Sequence, residues 1–263
     1  MNSITPSYFD LAIASILILL NGGLSFFLGL KLERSLIIAS FRMVLQLAII
    51  SLVLKKLFTL NSPVWISFII IIMMAFAGWE ILVRQTHRLV GWRLYGLGAG
   101  SILLATSLIT LTFLATNIHP DPWYDPRYLL PLLGMVLGNT MTGISLGLHN
   151  LFSGLIKDKI SIENQLALGA TYWIAVLPII RNALQSALMP TINAMAATGL
   201  VWFPGMMTGQ ILAGVYPTEA VKYQILIMFF ITGSTGFGSM SAVIGGAYWL
   251  TDSRDRLRLD RFS

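Results

Sequence analysis

Polar groups set inside long apolar runs are the residues whose chemistry asks for an explanation. Residues 199–214 read Gly199-Leu200-Val201-Trp202-Phe203-Pro204-Gly205-Met206-Met207-Thr208-Gly209-Gln210-Ile211-Leu212-Ala213-Gly214. Pro204 removes a backbone donor and permits a kink, Gly205, Gly209 and Gly214 admit close helix approach, and Thr208 and Gln210 place hydrogen-bonding groups at membrane depth. Met206 and Met207, with Met135, Met141 and Met240 on neighbouring candidate helices, bring thioether sulfurs, ligands that favour soft Cu(I) over iron. The same side chains also fill irregular core space, and both roles stay open. Arg42 and Gln46 stand four apart on one helix face, and Asn139 and Thr142 three apart between Gly138 and Gly143. A wet translocation path uses such residues; snorkelling of Arg42 and interhelical hydrogen bonding by Asn139 and Thr142 are the plainer roles.

Other chemistry is missing. There is no cysteine, so disulfides, thiolate metal sites and cysteine nucleophiles are excluded. His87, His119 and His149 fall in connectors with no partner at ligand spacing, and Asp121 and Asp125 flank His119 in a Pro-rich loop that reads as solvated. No metal centre is expected. An intramembrane protease would need paired Asp, Ser with His or Lys, or a zinc motif at membrane depth, and no such set lies in a span. The chain is therefore expected to be no enzyme. It carries no Gly-x-x-x-x-Gly-Lys-Ser/Thr phosphate cradle, so it binds no cofactor directly and any ATP would act through another chain.

These residues are positioned by membrane helices. Of 263 residues 56% are hydrophobic and only 11% charged, with mean hydropathy +0.78, against roughly 25% charged in soluble domains. A water-soluble domain is excluded, and the net charge of +6 is too sparse for a nucleic-acid face. Residues 1–10 lack the basic start of a signal peptide, so the first apolar run reads as a retained helix. Apolar runs cover 9–30, 36–54, 64–82, 95–116, 128–148, 183–215 with interruptions, and 220–250. The pattern predicts an all-α polytopic membrane protein of about seven spans, a single permease domain over 1–263.

Lys31, Arg34, Arg84, Arg88, Arg93, Lys157, Lys159, Arg254, Arg256, Arg258 and Arg261 fall in alternate connectors and the tail. Arg42 and Arg181 lie near the same side, against Lys55, Lys56, Arg127 and Lys222 on the other. The basic side is cytoplasmic, which predicts N-out and C-in. The stretch 171–217, broken by Pro178, Pro190, Pro204 and Pro217, is one interrupted span or two shorter elements and should face the bundle interior. The region 149–172 lies on the cytoplasmic side. There Ser161 can cap a short amphipathic helix with Glu163 in its first turn, followed by the small-residue turn Leu168-Gly169-Ala170.

Glu163 followed six residues later by Gly169 resembles, in part, the coupling loop of ABC importers, whose remaining positions this chain does not match. The runs Phe41-Arg42-Met43-Val44-Leu45-Gln46-Leu47, Gly138-Asn139-Thr140-Met141-Thr142-Gly143, Pro190-Thr191-Ile192-Asn193 and Pro204-Gly205-Met206-Met207-Thr208-Gly209-Gln210 resemble the FetB-type permease family of metal-exporting ABC subunits, over nearly the whole chain. Plant relatives in that family include an aluminium-tolerance half-transporter. The resemblance implies a permease subunit in the bacterial inner membrane, a homodimer docked on two cytoplasmic ATPase subunits. Its cargo would be iron or a related metal, with a nucleotide sugar such as UDP-glucose, or an ATP-independent secondary transporter, as the alternatives. Under that implication Arg42, Gln46, Asn139, Met141, Thr142, Met206, Met207, Thr208 and Gln210 are the candidate pathway. Glu163, Leu168 and Gly169 are the candidate ATPase-coupling residues, membrane lipid is the surrounding partner, and no nucleic acid is involved.

Overall fold

The computed structural model describes residues 7–60, 62–87, 89–90, 92–115, 122, 124–252 and 254–262. They form nine α-helices, and the chain divides into two compact units, Met1–Ser62 and Pro63–Ser263. His119 and Asp121 of the loop considered above lie outside the described residues.

The first unit is a helical hairpin of α1 (Tyr8–Phe27) and α2 (Glu33–Leu60). Ser7 and Asp10 form a capping box that opens α1. Gly29, at φ +65°, closes α1 with hydrogen bonds from Gly29 N–H to the Phe26 carbonyl and from Leu30 N–H to the Ser25 carbonyl. In the turn, buried Ser25 accepts from the Leu32 N–H at 3.0 Å and donates to Glu33 Oε2 at 3.1 Å, which sets the hairpin.

The second unit holds α3 (Pro63–Arg84), α4 (Arg93–Ala115), α5 (Pro126–Lys157), α6 (Lys159–Ala167), α7 (Tyr172–Ala197), α8 (Gly205–Leu212) and α9 (Pro217–Trp249), then a 3₁₀ turn at Leu259–Arg261. Its centre is the contact of α5 with α9. A Cβ at Gly143 would stand 2.5 Å from Thr235 Cγ2, and one at Gly238 2.7 Å from Thr140 Cγ2. Small residues thus let the two backbones meet, as membrane helices without a hydrophobic drive require. Thr140 donates to Ser234 across this seam at 2.8 Å. The Tyr172 hydroxyl donates to the Ala247 carbonyl at 2.9 Å and ties the start of α7 to the end of α9.

Among the described residues six helices are long and apolar enough to cross a membrane: α1, α2, α3, α4, α5 and α9. Of the two readings of residues 171–217, one broken span or two shorter elements, the structure has the two elements: α7 begins at Tyr172 and runs 26 residues through Pro178 and Pro190, and the 8-residue α8 follows it. Both prolines are exposed, so their rings sit on the outside of α7 instead of in the core. Thr198 and Gly199, at φ +89°, end α7, and the Gly199 N–H donates to the Trp202 carbonyl. At 26 residues α7 too is long enough to cross a membrane; its polar residues keep it out of those six. Asn182, Gln185, Met189 and Asn193 fall on one exposed face of it.

The region 149–172 is also shorter as an amphipathic element than expected. α5 runs on through His149 to Lys157, and only Asp158 separates it from α6. Ser161 is therefore an interior residue and no cap, and Glu163 is the fifth residue of α6.

The C-terminal tail straps across the same end of the unit as α6. The Val90 N–H donates to the Arg261 carbonyl at 2.9 Å, Arg261 donates to the Trp249 and Thr251 carbonyls, and the Phe262 ring packs 5.2 Å from that of Phe152. Hydrogen bonds from Arg256 hold the Asp252 carboxyl well below the usual carboxylate range, and Arg258 holds Asp260 at about 2. A depressed folded-state value stabilises above the ordinary carboxylate range and is lost as pH falls through it. Hydrogen exchange at the Val90 amide, corrected for intrinsic rate, should therefore be level from neutral pH to about 4 and lose protection below that. Asp252→Asn should show the looser state already at neutral pH. Equal protection in variant and parent would show that the ion pairs do not hold the strap.

Candidate functional site

At the end of the second unit where α5 and α9 begin and α7 ends, two cavities adjoin. The first, about 220 Å³, is lined by Met135 and Asn139 of α5, Thr191 of α7, Met206 of α8, and Gln224 and Met228 of α9. The second, about 360 Å³, is bordered by Met195, Met207, Phe229 and again Gln224 and Met228. By helical rise, Met135 and Met228 lie about 10–20 Å in from the helix starts, within membrane depth. Pro217 at the first position of α9 and Asp125, which caps α5 through the Arg127 N–H at 2.9 Å, fix those starts.

Gln224 is 5% exposed, lines both cavities, and its Oε1 meets no donor. The Thr232 hydroxyl lies 3.3 Å from the Met195 sulfur and also donates to the Met228 carbonyl at 2.7 Å. Neutral donors thus surround the open volume: thioether sulfurs, the amides of Asn139 and Gln224, and the hydroxyls of Thr191 and Thr198.

The structure sorts the sequence candidates. Asn139 and Met206 come together at the first cavity and Met207 borders the second. Asn139 Nδ2 donates to the Met135 carbonyl at 2.8 Å and the Thr142 hydroxyl to the Gly138 carbonyl at 2.9 Å. Both bonds stay inside α5, so the expected interhelical bonds from these residues are not made. Met141 packs half-buried against the main core, away from the cavities. Thr208 bonds its own helix through the Pro204 carbonyl, and Gln210 is half-buried with its Oε1 unpaired. Arg42 and Gln46 belong to α2 of the first unit, Arg42 half-buried and Gln46 exposed.

Two glycine expectations are corrected. A Cβ at Gly205 or Gly209 would meet nothing within 4 Å, so neither is a close-packing site within this chain. Gly214 serves by conformation, closing α8 at φ +93° with the Val215 N–H on the Gln210 carbonyl. Pro204 precedes α8 as its N-cap and kinks no helix.

At the opposite end of the unit, α6 presents Ile160 and Leu168 to the outside, 74% and 88% exposed, while Ile162 anchors it in the core. Glu163 pairs with Lys159 at 3.7 Å, both side chains about half exposed. Gly169, at φ +92°, ends the helix with the Ala170 N–H on the Gln165 carbonyl. Arg93 lies 5.0 Å over the Trp249 ring at this end too. Within the second unit, Arg93, Lys157, Lys159 and the Arg-rich tail thus gather at the end where α6 lies.

The sequence assigned no site role to Gln224, Thr191, Met195 or Met228, which line the cavities. Gln224 was legible as a polar residue within an apolar run; the others carried no signal until α7 and α9 were placed together.

No solved structure matches the chain. Similar proteins include a UPF0014 membrane protein of Synechocystis, 40% identical over 77% of this chain and 78% of its own. The protein named ALUMINUM SENSITIVE 3 of Arabidopsis thaliana is 33% identical over 88% and 82%. The protein named Probable iron export permease protein FetB of Escherichia coli is 28% identical over 92% and 91%. Residues 8–249, nearly the whole chain and every helix described above, match the uncharacterised protein family UPF0014, and the chain belongs to that family.

Proposed function

We propose that the chain is the membrane-spanning permease subunit of an ATP-driven exporter, with iron or a related metal as cargo and the ATP hydrolysed on a separate cytoplasmic subunit. The observation that carries this reading is the placement of two functional ends on one helical unit. A methionine-lined pair of cavities with a few amide and hydroxyl groups lies at one end, and a short helix with exposed Ile160 and Glu163, capped by exposed Leu168, lies at the other. With the basic end inside, α6 faces the cytoplasm and the cavities open toward the far side. The polar face of α7, with Asn182, Gln185 and Asn193 exposed at membrane depth, is costly against lipid. A second copy across a wet path satisfies it, which favours a homodimer in the bacterial plasma membrane.

The metal reading is favoured over a nucleotide sugar by the lining itself. The larger cavity, about 360 Å³, is at the low end of the roughly 300–1,000 Å³ of drug-sized sites, and neither cavity is bordered by Lys or Arg to pair with a diphosphate. The resemblance of the whole chain to a protein named for iron export supports a metal as cargo, although the neutral sulfur lining suits a softer ion than iron.

The absence of native cysteine makes the test clean. Single cysteines at Met206 and Met207, in permease co-purified with its ATPase, should change their labelling by a membrane-impermeant thiol reagent on adding ATP, while cysteine at exposed Tyr216, outside both cavities, stays level. Labelling that never responds to ATP, with no ATPase retained, would favour a secondary transporter.

A further inference from the structure

Five of the twelve methionines, Met135, Met195, Met206, Met207 and Met228, border the two adjoining cavities. A methionine that serves only to fill space leaves none beside it, yet these border about 220 and 360 Å³ of open volume. Between the cavities stands Gln224, nine-tenths buried with a carbonyl oxygen that no donor reaches. A buried, unpaired amide oxygen is costly unless something completes it, and a cation does so.

The donor set also selects the cation. Neither cavity is lined by Asp, Glu or His, and among the described residues no three such side chains gather anywhere. Divalent and trivalent hard ions need anionic oxygen to offset the loss of their water, and that loss grows with the square of the charge. Thioether sulfur is soft and neutral, suited to a weakly hydrated monovalent d¹⁰ ion such as Cu(I).

We infer that the paired cavities form a binding site for a soft monovalent metal ion, held by Met206, Met228 and Met135 with the Gln224 oxygen, and handed on past Met207 and Met195. The inference rests on the exporter reading only for the cavity's place on a route; the binding itself needs no ATPase.

The test uses the full chain in lipid nanodiscs, with a tag free of His and Cys, and Ag⁺ as a redox-stable d¹⁰ probe measured by equilibrium dialysis against free methionine. The chain has no thiol, so tight Ag⁺ uptake cannot come from cysteine. Met206→Leu and Met228→Leu keep the volume and remove the sulfur. Each should weaken Ag⁺ binding by at least about tenfold, the cost of losing even an outer-shell metal partner. Met74→Leu, half-buried outside both cavities, should bind as the parent does. Thermal unfolding of each variant reports folding separately, and if Met228→Leu does not fold, the half-buried Met206 carries the test alone. Excess Fe²⁺ under anaerobic conditions should fail to displace the Ag⁺. No Ag⁺ binding by the parent, unchanged binding by Met206→Leu, or displacement by Fe²⁺ would each overturn the inference. None of those outcomes touches the ATP-dependent labelling, so the exporter reading stands or falls by its own experiment.

Discussion

Gly143→Leu should leave little folded protein in the membrane, the largest stability loss expected of any single change in this chain. A Cβ alone would stand 2.5 Å from Thr235 Cγ2, 3.0 Å from Ser239 Oγ and 3.2 Å from the Ala187 carbonyl oxygen, so α9 and α7 both crowd the site. Overpacking a well-fitted core typically costs about 1–3 kcal/mol and occasionally more, and a leucine here must push apart two helices on different sides. Folded yield and the unfolding midpoint in detergent are the measurements. Gly138→Ala, one turn away with nothing within 4 Å of its added Cβ, should hold or gain stability, since alanine favours a helix by about 1 kcal/mol over glycine. Thr235→Ser removes the clashing methyl and should partly restore a Gly143→Ala variant. A Gly143→Leu protein as stable as its parent would mean that the α5–α9 seam is looser than the geometry shows.

The second large effect is functional. Glu163→Lys should abolish ATP-driven transport and retention of the ATPase while leaving the permease folded. Glu163 makes one exposed ion pair with Lys159 at 3.7 Å, and such a helical pair contributes only about 0.3–0.5 kcal/mol. A change of charge there costs folding almost nothing, so a large loss must come from docking. Leu168→Asp tests the same surface by a different route, because that side chain is 88% exposed and packs on little in the chain itself. Co-purification and transport into inverted vesicles are the readouts. Retained ATPase and normal transport in both variants would remove α6 as the coupling element.

Gly169 and Glu163 illustrate how far pattern reading reaches. The small-residue turn after α6 was visible, and Gly169 indeed adopts a conformation that other residues adopt only with strain, φ +92°. The helix start was misplaced, because Ser161 offers a cap chemically while α5 continues to Lys157 and leaves room only for Asp158. Continuation of a neighbouring helix is decided by packing of Leu151, Phe152 and Leu155 in the core, which local propensity does not contain.

The glycines separate in the same way. Gly205 and Gly209 looked like close-approach residues and face open space, whereas Gly143 and Gly238, unremarked as a pair, carry the tightest helix contact. Spacing tells where a helix has no side chain; only the partner helix tells whether that gap is filled.

The sequence by itself determined the solvent and the material. Hydropathy at +0.78 with 11% charge compels helices in lipid, because only internal hydrogen bonding satisfies a backbone there. Lys157 and Lys159 marked the short connector in which α6 lies, and the Pro204–Gln210 run marked a break. Tertiary structure decided which polar and sulfur-bearing side chains share a space. Met206 and Met228 are separated by 22 positions, and Met135 and Gln224 by 89, so no local period links them. They border one cavity because Gly143 and Gly238 let α5 and α9 touch below it while α8 holds Met206 beside them. Contacts between distant segments arise from the fit of whole helix faces, and that fit is a property of the folded chain.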